Sequence, residues 1–201
     1  MIVKPLVNYP TGIEQIKNTD SLFNPINKFL KGSVTQRFYS SPTNGTAIST
    51  ASIVANTLYA MPFVAEKEIT IDSINMFVST LGTGSNLRFG IYKDSNLYPS
   101  SLVLDSGPVA SATVGIKTFA ANLTLPSALY WLVCVCTATA PIVRGFTAAS
   151  LNPILGMDNT FTLPGLGYSV NFTFAALPDP FPAGASIRTA IPLPLIALHA
   201  S

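Results

Sequence analysis

The stretch Asn86–Asp105, NLRFGIYKDSNLYPSSLVLD, decides the fold class. Its two ends, LRFGIY and LVLD, are apolar or alternating runs of the length a strand needs, and the middle, KDSNLYPSS, is a cluster of turn formers. The pattern predicts two strands joined by an ordered polar loop. No catalytic or cofactor motif lies within it.

The same texture extends on both sides. VTQRFYSS, ANTLYAMPFV, KEITIDSINMFVST, IKTFAANLTL and ALYWLVCVCT follow one another at short intervals from Ser33 onward. AEKE, LGTGS, DSNLYP and SGPVASATVG separate the strands as turn signals, with PTNGTAIST (42–50) read as a loop and GTGSN (82–86) as a hairpin turn. In EITIDSINMFVS the apolar residues are Ile69 and Ile71, then Ile74, Met76 and Val78. That change of phase at Asp72-Ser73 predicts a β-bulge. IVRGF, SVNFTFA and PLIALHA read as further strands. LPDPFPAG reads as a stiff extended connector, because proline fixes φ and withholds a donor. Many short strands with Gly/Pro-rich turns, and no helix-length amphipathic stretch after residue 33, predict an all-β sandwich or barrel.

Composition bounds the rest. A chain of 201 residues suffices for one domain, or one with an appendage. Charged residues are 10% of it and hydrophobic ones 48%, with mean hydropathy +0.44; ordinary soluble chains carry roughly 25% charge. The expectation is that much of its surface is buried against other chains. The longest apolar run, Ala128–Val143, is short of a membrane span and is broken by threonines and Pro141. The start, MIVKPLVNYP, lacks the apolar run of a secretory signal, so synthesis in a cytoplasm and use in an assembly are expected. A net charge of +2 with scattered Lys and Arg excludes neither fold nor assembly but gives nucleic acid nothing to bind. Cys134 and Cys136 fall on one face of a strand and read as small buried hydrophobes.

Residues 1–32 differ in kind. Prolines at 5, 10 and 25 and a dense share of the charges point to an extended arm. Within it a helical turn is expected from Thr11 or Gly12 through Lys17, with Asp20 capping another before Pro25. The arm's apolar side chains, including Leu6, Tyr9, Ile13, Leu22, Phe23, Phe29 and Leu30, have no regular period and are expected to lie on a partner's surface. The long loop 148–167 is equally apolar, and Leu151, Ile154 and Leu155 are expected to contact a neighbouring subunit. Asp94, Asn96 and Tyr98 tip the polar loop of the opening stretch and form a candidate outward surface.

Tests for chemistry return little. The lone His199 has no second histidine or cysteine for zinc and no Ser/Asp constellation in sequence. Glu66 and Glu68 flank Lys67 as a solvated edge. Asp94, Ser95 and Asn96 offer oxygens of the kind calcium takes, but three such neighbours read as a turn. Trp131 is expected in the core, and Tyr98 as an anchor for its loop. No catalytic, cofactor or metal residue is assigned, and no enzyme activity is expected.

The ordered set LYAMPFV, TIDSINMFV, LRFGIYKDSNLYPSSLVLDSG, ALYWLVCV, ALPDPFPAGAS and PLIALHAS, covering about residues 33–201, resembles the jelly-roll domains of tailed-bacteriophage virion proteins. The resemblance implies an antiparallel jelly-roll β-sandwich with an extended N-terminal arm, located in the virion. It implies a trimeric capsid decoration (cement) protein bound to the major capsid protein. The alternative is a tail fibre or receptor-binding protein, joined to tail proteins and recognising host surface glycan. No cofactor, nucleic acid or membrane enters either expectation.

Overall fold

The computed structural model describes residues 6–9, 12–15, 37–41, 48–137, 139–147, 153–160, 164–189 and 193–201. The chain divides into two compact units, Met1–Val34 and Thr35–Ser201. In the first, β1 (Leu6–Tyr9) pairs antiparallel with β2 (Gly12–Gln15), Leu6 facing Gln15 and Tyr9 facing Gly12. The helical turn expected from residue 11 or 12 is therefore a strand over Gly12–Gln15. One turn of helix fixes three residues for a single hydrogen bond, whereas a hairpin pairs both backbones. The expected cap at Asp20 lies outside the described residues.

The second unit begins its strands with β3 (Phe38–Tyr39), β4 (Ile48–Ser52), β5 (Thr57–Ala65), β6 (Ile69–Thr80) and β7 (Asn86–Ser95). Then come β8 (Tyr98–Asp105), β9 (Val109–Ala110), β10 (Gly115–Leu125), β11 (Ala128–Cys136) and β12 (Ile142–Phe146). β13 (Gly167–Asn171), β14 (Ser186–Arg188), β15 (Leu193–Pro194) and β16 (Ile196–Ala200) complete it. Sheet I has the order β14-β13-β5-β11-β7-β8, with β9 also on β7. Sheet II has the order β15-β12-β6-β16-β3, with β10 also on β6 and β4 also on β12. All pairs are antiparallel, and the two sheets pack face to face as a β-sandwich.

One ribbon runs through both sheets. In sheet I, β5 pairs with β11 from Tyr59–Cys134 to Ala65–Ala128; in sheet II, β6 pairs with β10 from Ile69–Leu125 to Val78–Gly115. The ladder therefore crosses from one sheet to the other with a one-residue slip, where Glu66, Lys67 and Glu68 form an exposed turn. The opposite slip sits between Ala120 and Leu123, opposite Ser73 and Ile71. β16 shifts register against β6 at the same place. This is the bulge that the change of phase at Asp72-Ser73 predicts.

Side-chain alternation follows the pleat. On β11, Tyr130, Leu132, Cys134 and Cys136 face the core between the sheets, with Phe63, Ile71, Ile74, Met76, Phe89 and Ile91. Both thiols are free, and burial pushes them up, Cys136 to about 11. Trp131, Val133 and Val135 point to the other side of sheet I and are also buried, with Leu177 and Phe181. Sheet I is thus covered on both faces.

In the second unit the structure departs from the sequence reading in four further places. Ile48, Ser49 and Thr50, read as loop, belong to β4, where pairing with β12 satisfies their backbone. GTGSN (82–86) is no hairpin turn: it carries the chain from β6 in sheet II to β7 in sheet I. In SVNFTFA the strand ends at Asn171, beyond which the amide of Phe174 donates to Asn56 Oδ1. The polar loop of the opening stretch shrinks to a two-residue turn, Asn96-Leu97, with φ of 53° and 61°. Two left-handed residues match the twist of a hairpin. A branched side chain there is strained.

Two expectations follow. Leu97 is 45% exposed, so L97G removes the left-handed strain at little cost in packing. It should raise stability by about 0.5–1 kcal/mol in urea unfolding. Gly90 lies under Leu177, and a Cβ there would stand 2.7 Å from the Leu104 carbonyl oxygen, a backbone atom. G90A should therefore lower stability by about 1–3 kcal/mol, read as a lower midpoint in urea unfolding.

Candidate functional site

The outer faces of the two sheets differ, and the difference locates the candidate site. On sheet I the connector 172–185 lies across the face and is held by the hairpin β7–β8. The Tyr92 hydroxyl donates to the Pro178 carbonyl (2.5 Å) and the Tyr98 hydroxyl to that of Pro182 (2.7 Å). Asp105 Oδ2 accepts from the Leu177 amide (3.0 Å), and Asp179 Oδ1 from the Leu102 amide (3.1 Å). Phe181 sits edge-on to Tyr92 and Tyr98, and Tyr168 packs against Tyr98 and Trp131. Burial, followed by the carboxylates of Asp105 and Asp179, pushes the Tyr92 hydroxyl far up, so it stays a donor. This face is closed by the chain itself.

Within the second unit, the outer face of sheet II carries exposed Phe38, Ile48 and Ile116, with no described segment of that unit laid across it. Its centre is a directed row of hydrogen bonds: Thr118 donates to Asn75 (2.8 Å), Asn75 to Ser73 (3.1 Å) and Ser73 to Asp72 (2.8 Å). His199 Nδ1 meets the same carboxylate at 2.8 and 2.9 Å, and its ring lies 4.9 Å from that of Phe38. Ser73, Asp72 and His199 are the residue types of a hydrolytic triad, joined in the wrong order. A triad serine donates to histidine; Ser73 donates to Asp72. The row orients His199 and generates no nucleophile.

Around this centre the face is apolar at its rim. Ile116, Phe38 and Ile48 are 56%, 53% and 53% exposed. Ile116 stands opposite Phe77 across β10 and β6. At one end Ile48, Ser49, Thr50, Phe77, Ser79 and Arg144 line an open groove of about 520 Å³. The Arg144 guanidinium stacks over the Phe77 ring, 4.4 Å from its centroid.

The residues singled out from sequence scatter. Leu6 and Tyr9 lie in β1 and Ile13 in β2, while Leu22, Phe23, Phe29, Leu30 and Leu151 lie outside the described residues. Ile154 is half-buried, and Leu155 packs on this chain's own cluster around Trp131. Asn96 is exposed. Asp94 accepts from the Trp131 indole (2.8 Å), and Tyr98 anchors the connector, so two of the three loop residues face inward to their own chain. The described residues contain no group of three or more His, Cys, Asp or Glu placed to hold a metal ion. Among the described residues no helix is long and apolar enough to cross a membrane. Sequence reasoning missed the open face, because its residues come from β3, β4, β6, β10, β12 and β16. The one local signal is β10, whose apolar residues occupy both phases, Phe119 inward and Ile116 outward. Comparison of the chain with protein-family models, curated proteins and solved structures finds no match.

The Asp72 row has a testable pH signature. The Ser73 hydroxyl first, then His199, holds the Asp72 carboxyl below its ordinary 3.8. Its contribution is present above that ordinary value and is lost as pH falls through the lowered one. Wild type should therefore lose melting temperature as pH falls below the ordinary carboxylate value of 3.8. D72N should flatten that part of the profile, and an unchanged slope would show that other carboxylates carry it.

Proposed function

We propose that the chain is a structural protein of a tailed-bacteriophage particle. In this reading it is a jelly roll that decorates the capsid as a trimer and clamps neighbouring units of the major capsid protein. The observation that carries the reading is the open face of sheet II. Half-exposed Phe38, Ile48 and Ile116 stand on it in a chain with only 10% charged residues. Large exposed apolar patches mark association surfaces. The bent ribbon of β5–β6 against β10–β11 supports the jelly-roll reading, since that fold is a long hairpin rolled across two sheets. The ordered motifs from LYAMPFV to PLIALHAS support the phage reading. Action would be mechanical: apolar area buried at each contact, multiplied over many copies.

A second reading, a tail fibre or receptor-binding protein that recognises host surface glycan, is favoured by one feature, the Arg144 groove. The readings separate on undecorated shells. Added protein should bind them and raise their resistance to heat; failure to bind, or binding without that gain, overturns the decoration reading. Removing residues 1–32 should leave a folded sandwich, by circular dichroism, that no longer attaches to shells. Retained attachment would remove the arm from the mechanism.

A further inference from the structure

We propose that the groove between β4, β6 and β12 binds a sugar that carries a carboxylate. The proposal deepens the second reading above and rests on it for the biological source of that sugar. Pairing fixes the geometry. Arg144 stands directly opposite Thr50 on the neighbouring strand, so both side chains leave the same face. Phe77 and Ser79, two apart on β6, line the groove with them. Its volume of about 520 Å³ falls within the roughly 300–1,000 Å³ of small-molecule sites.

Three features choose the ligand class. The Arg144 guanidinium carbon lies over the Phe77 ring, 4.4 Å from its centroid, so the ring holds the group on one side while its N–H donors keep no hydrogen-bond partner among the described residues. Among the described residues no carboxylate lies within ion-pair distance of it. An oriented fork with unspent donors matches a carboxylate bidentately. The hydroxyls of Thr50 and Ser79 also lack a side-chain partner among the described residues. Hydroxyls both donate and accept, so they suit the hydroxyls of a sugar ring. Ile48 supplies an apolar wall for the ring's C–H face. A glutamate side chain would use Arg144 and leave Thr50 and Ser79 unanswered. A neutral sugar would do the reverse. A uronic acid uses all of them.

The test is titration calorimetry of the full chain with D-glucuronate and with tri-galacturonate, alongside glucose and the peptide acetyl-Gly-Glu-Gly-amide. The uronates should bind, and glucose and the peptide at least tenfold more weakly. R144A should lose at least tenfold in uronate affinity with its melting temperature unchanged. R144K, which keeps the charge without the fork, should lose most of that affinity, and T50V should lose a few-fold. Equal uronate binding by R144A, or glucose bound as well as glucuronate, overturns the site. Preference for the peptide overturns the sugar and makes the groove a protein contact. Wild-type adhesion to uronate-coated bacteria is measured separately. Binding in solution without adhesion leaves the site standing and overturns the receptor reading.

Discussion

The ladder from Tyr59–Cys134 through Ala65–Ala128 to Val78–Gly115 places every other strand of the sandwich. β7 adds to the free edge of β11, and β16 and β12 add to the free edge of β6. Side chains alternate with a period of two, so a register error of one residue turns a strand inside out. The ribbon makes such a slip where it bends between the sheets and cancels it at the Ala120–Leu123 irregularity. Ile69 and Ile71 therefore face the same core as Ile74, Met76 and Val78. The bulge is a requirement of the bend.

Covering sheet I on its outer face needs a segment that can lie on apolar side chains without stranding its own backbone. The connector is suited to this. Pro178, Pro180 and Pro182 have no N–H to satisfy, while the amides of Leu177, Phe181 and Ala185 find Asp105, the Ser100 carbonyl and Tyr98. Leu177 and Phe181 are then buried, each worth about 1.5–3 kcal/mol relative to exposure. Gly90 is the matching concession in the sheet, where a missing side chain lets Leu177 sit close.

Strand content was legible because burial on one or both faces leaves a pattern in neighbouring residues. YWLVCV reads as a strand with Trp131 in the core and Cys134 and Cys136 buried, and all three are buried, on two opposite faces; the broken alternation at Asp72-Ser73 reads as a bulge and is one. Sheet membership was not legible. A turn such as GTGSN has the same composition whether it closes a hairpin or crosses between sheets. β4 was hidden by its polar residues, which β12 supports from 90 or more positions away. His199 and Asp72, 127 residues apart, meet only because β16 inserts beside β6. The Arg144 groove draws on three strands, none of which carries a marker of it alone. The two-residue turn at Asn96-Leu97 lacked the glycine that usually announces one; instead the Leu97 amide donates to the Asp94 carboxylate and the Tyr168 hydroxyl donates to the Leu97 carbonyl, which holds Leu97 in place.

The place of β16 has a consequence for the chain during synthesis. It lies between β6 and β3, and β15 beside it pairs with β12. Sheet I and the bent ribbon need nothing beyond residue 188 to pair, so they can form before β16 docks. Sheet II cannot: its middle stays open until residues 193–200 have emerged. Until then β6 presents an unpaired edge, and Phe38 has no strand to join. A half-made chain therefore exposes a template for wrong pairing with its neighbours on the same message. Copies reach association with an intact face only once β16 is paired with β6 and β3.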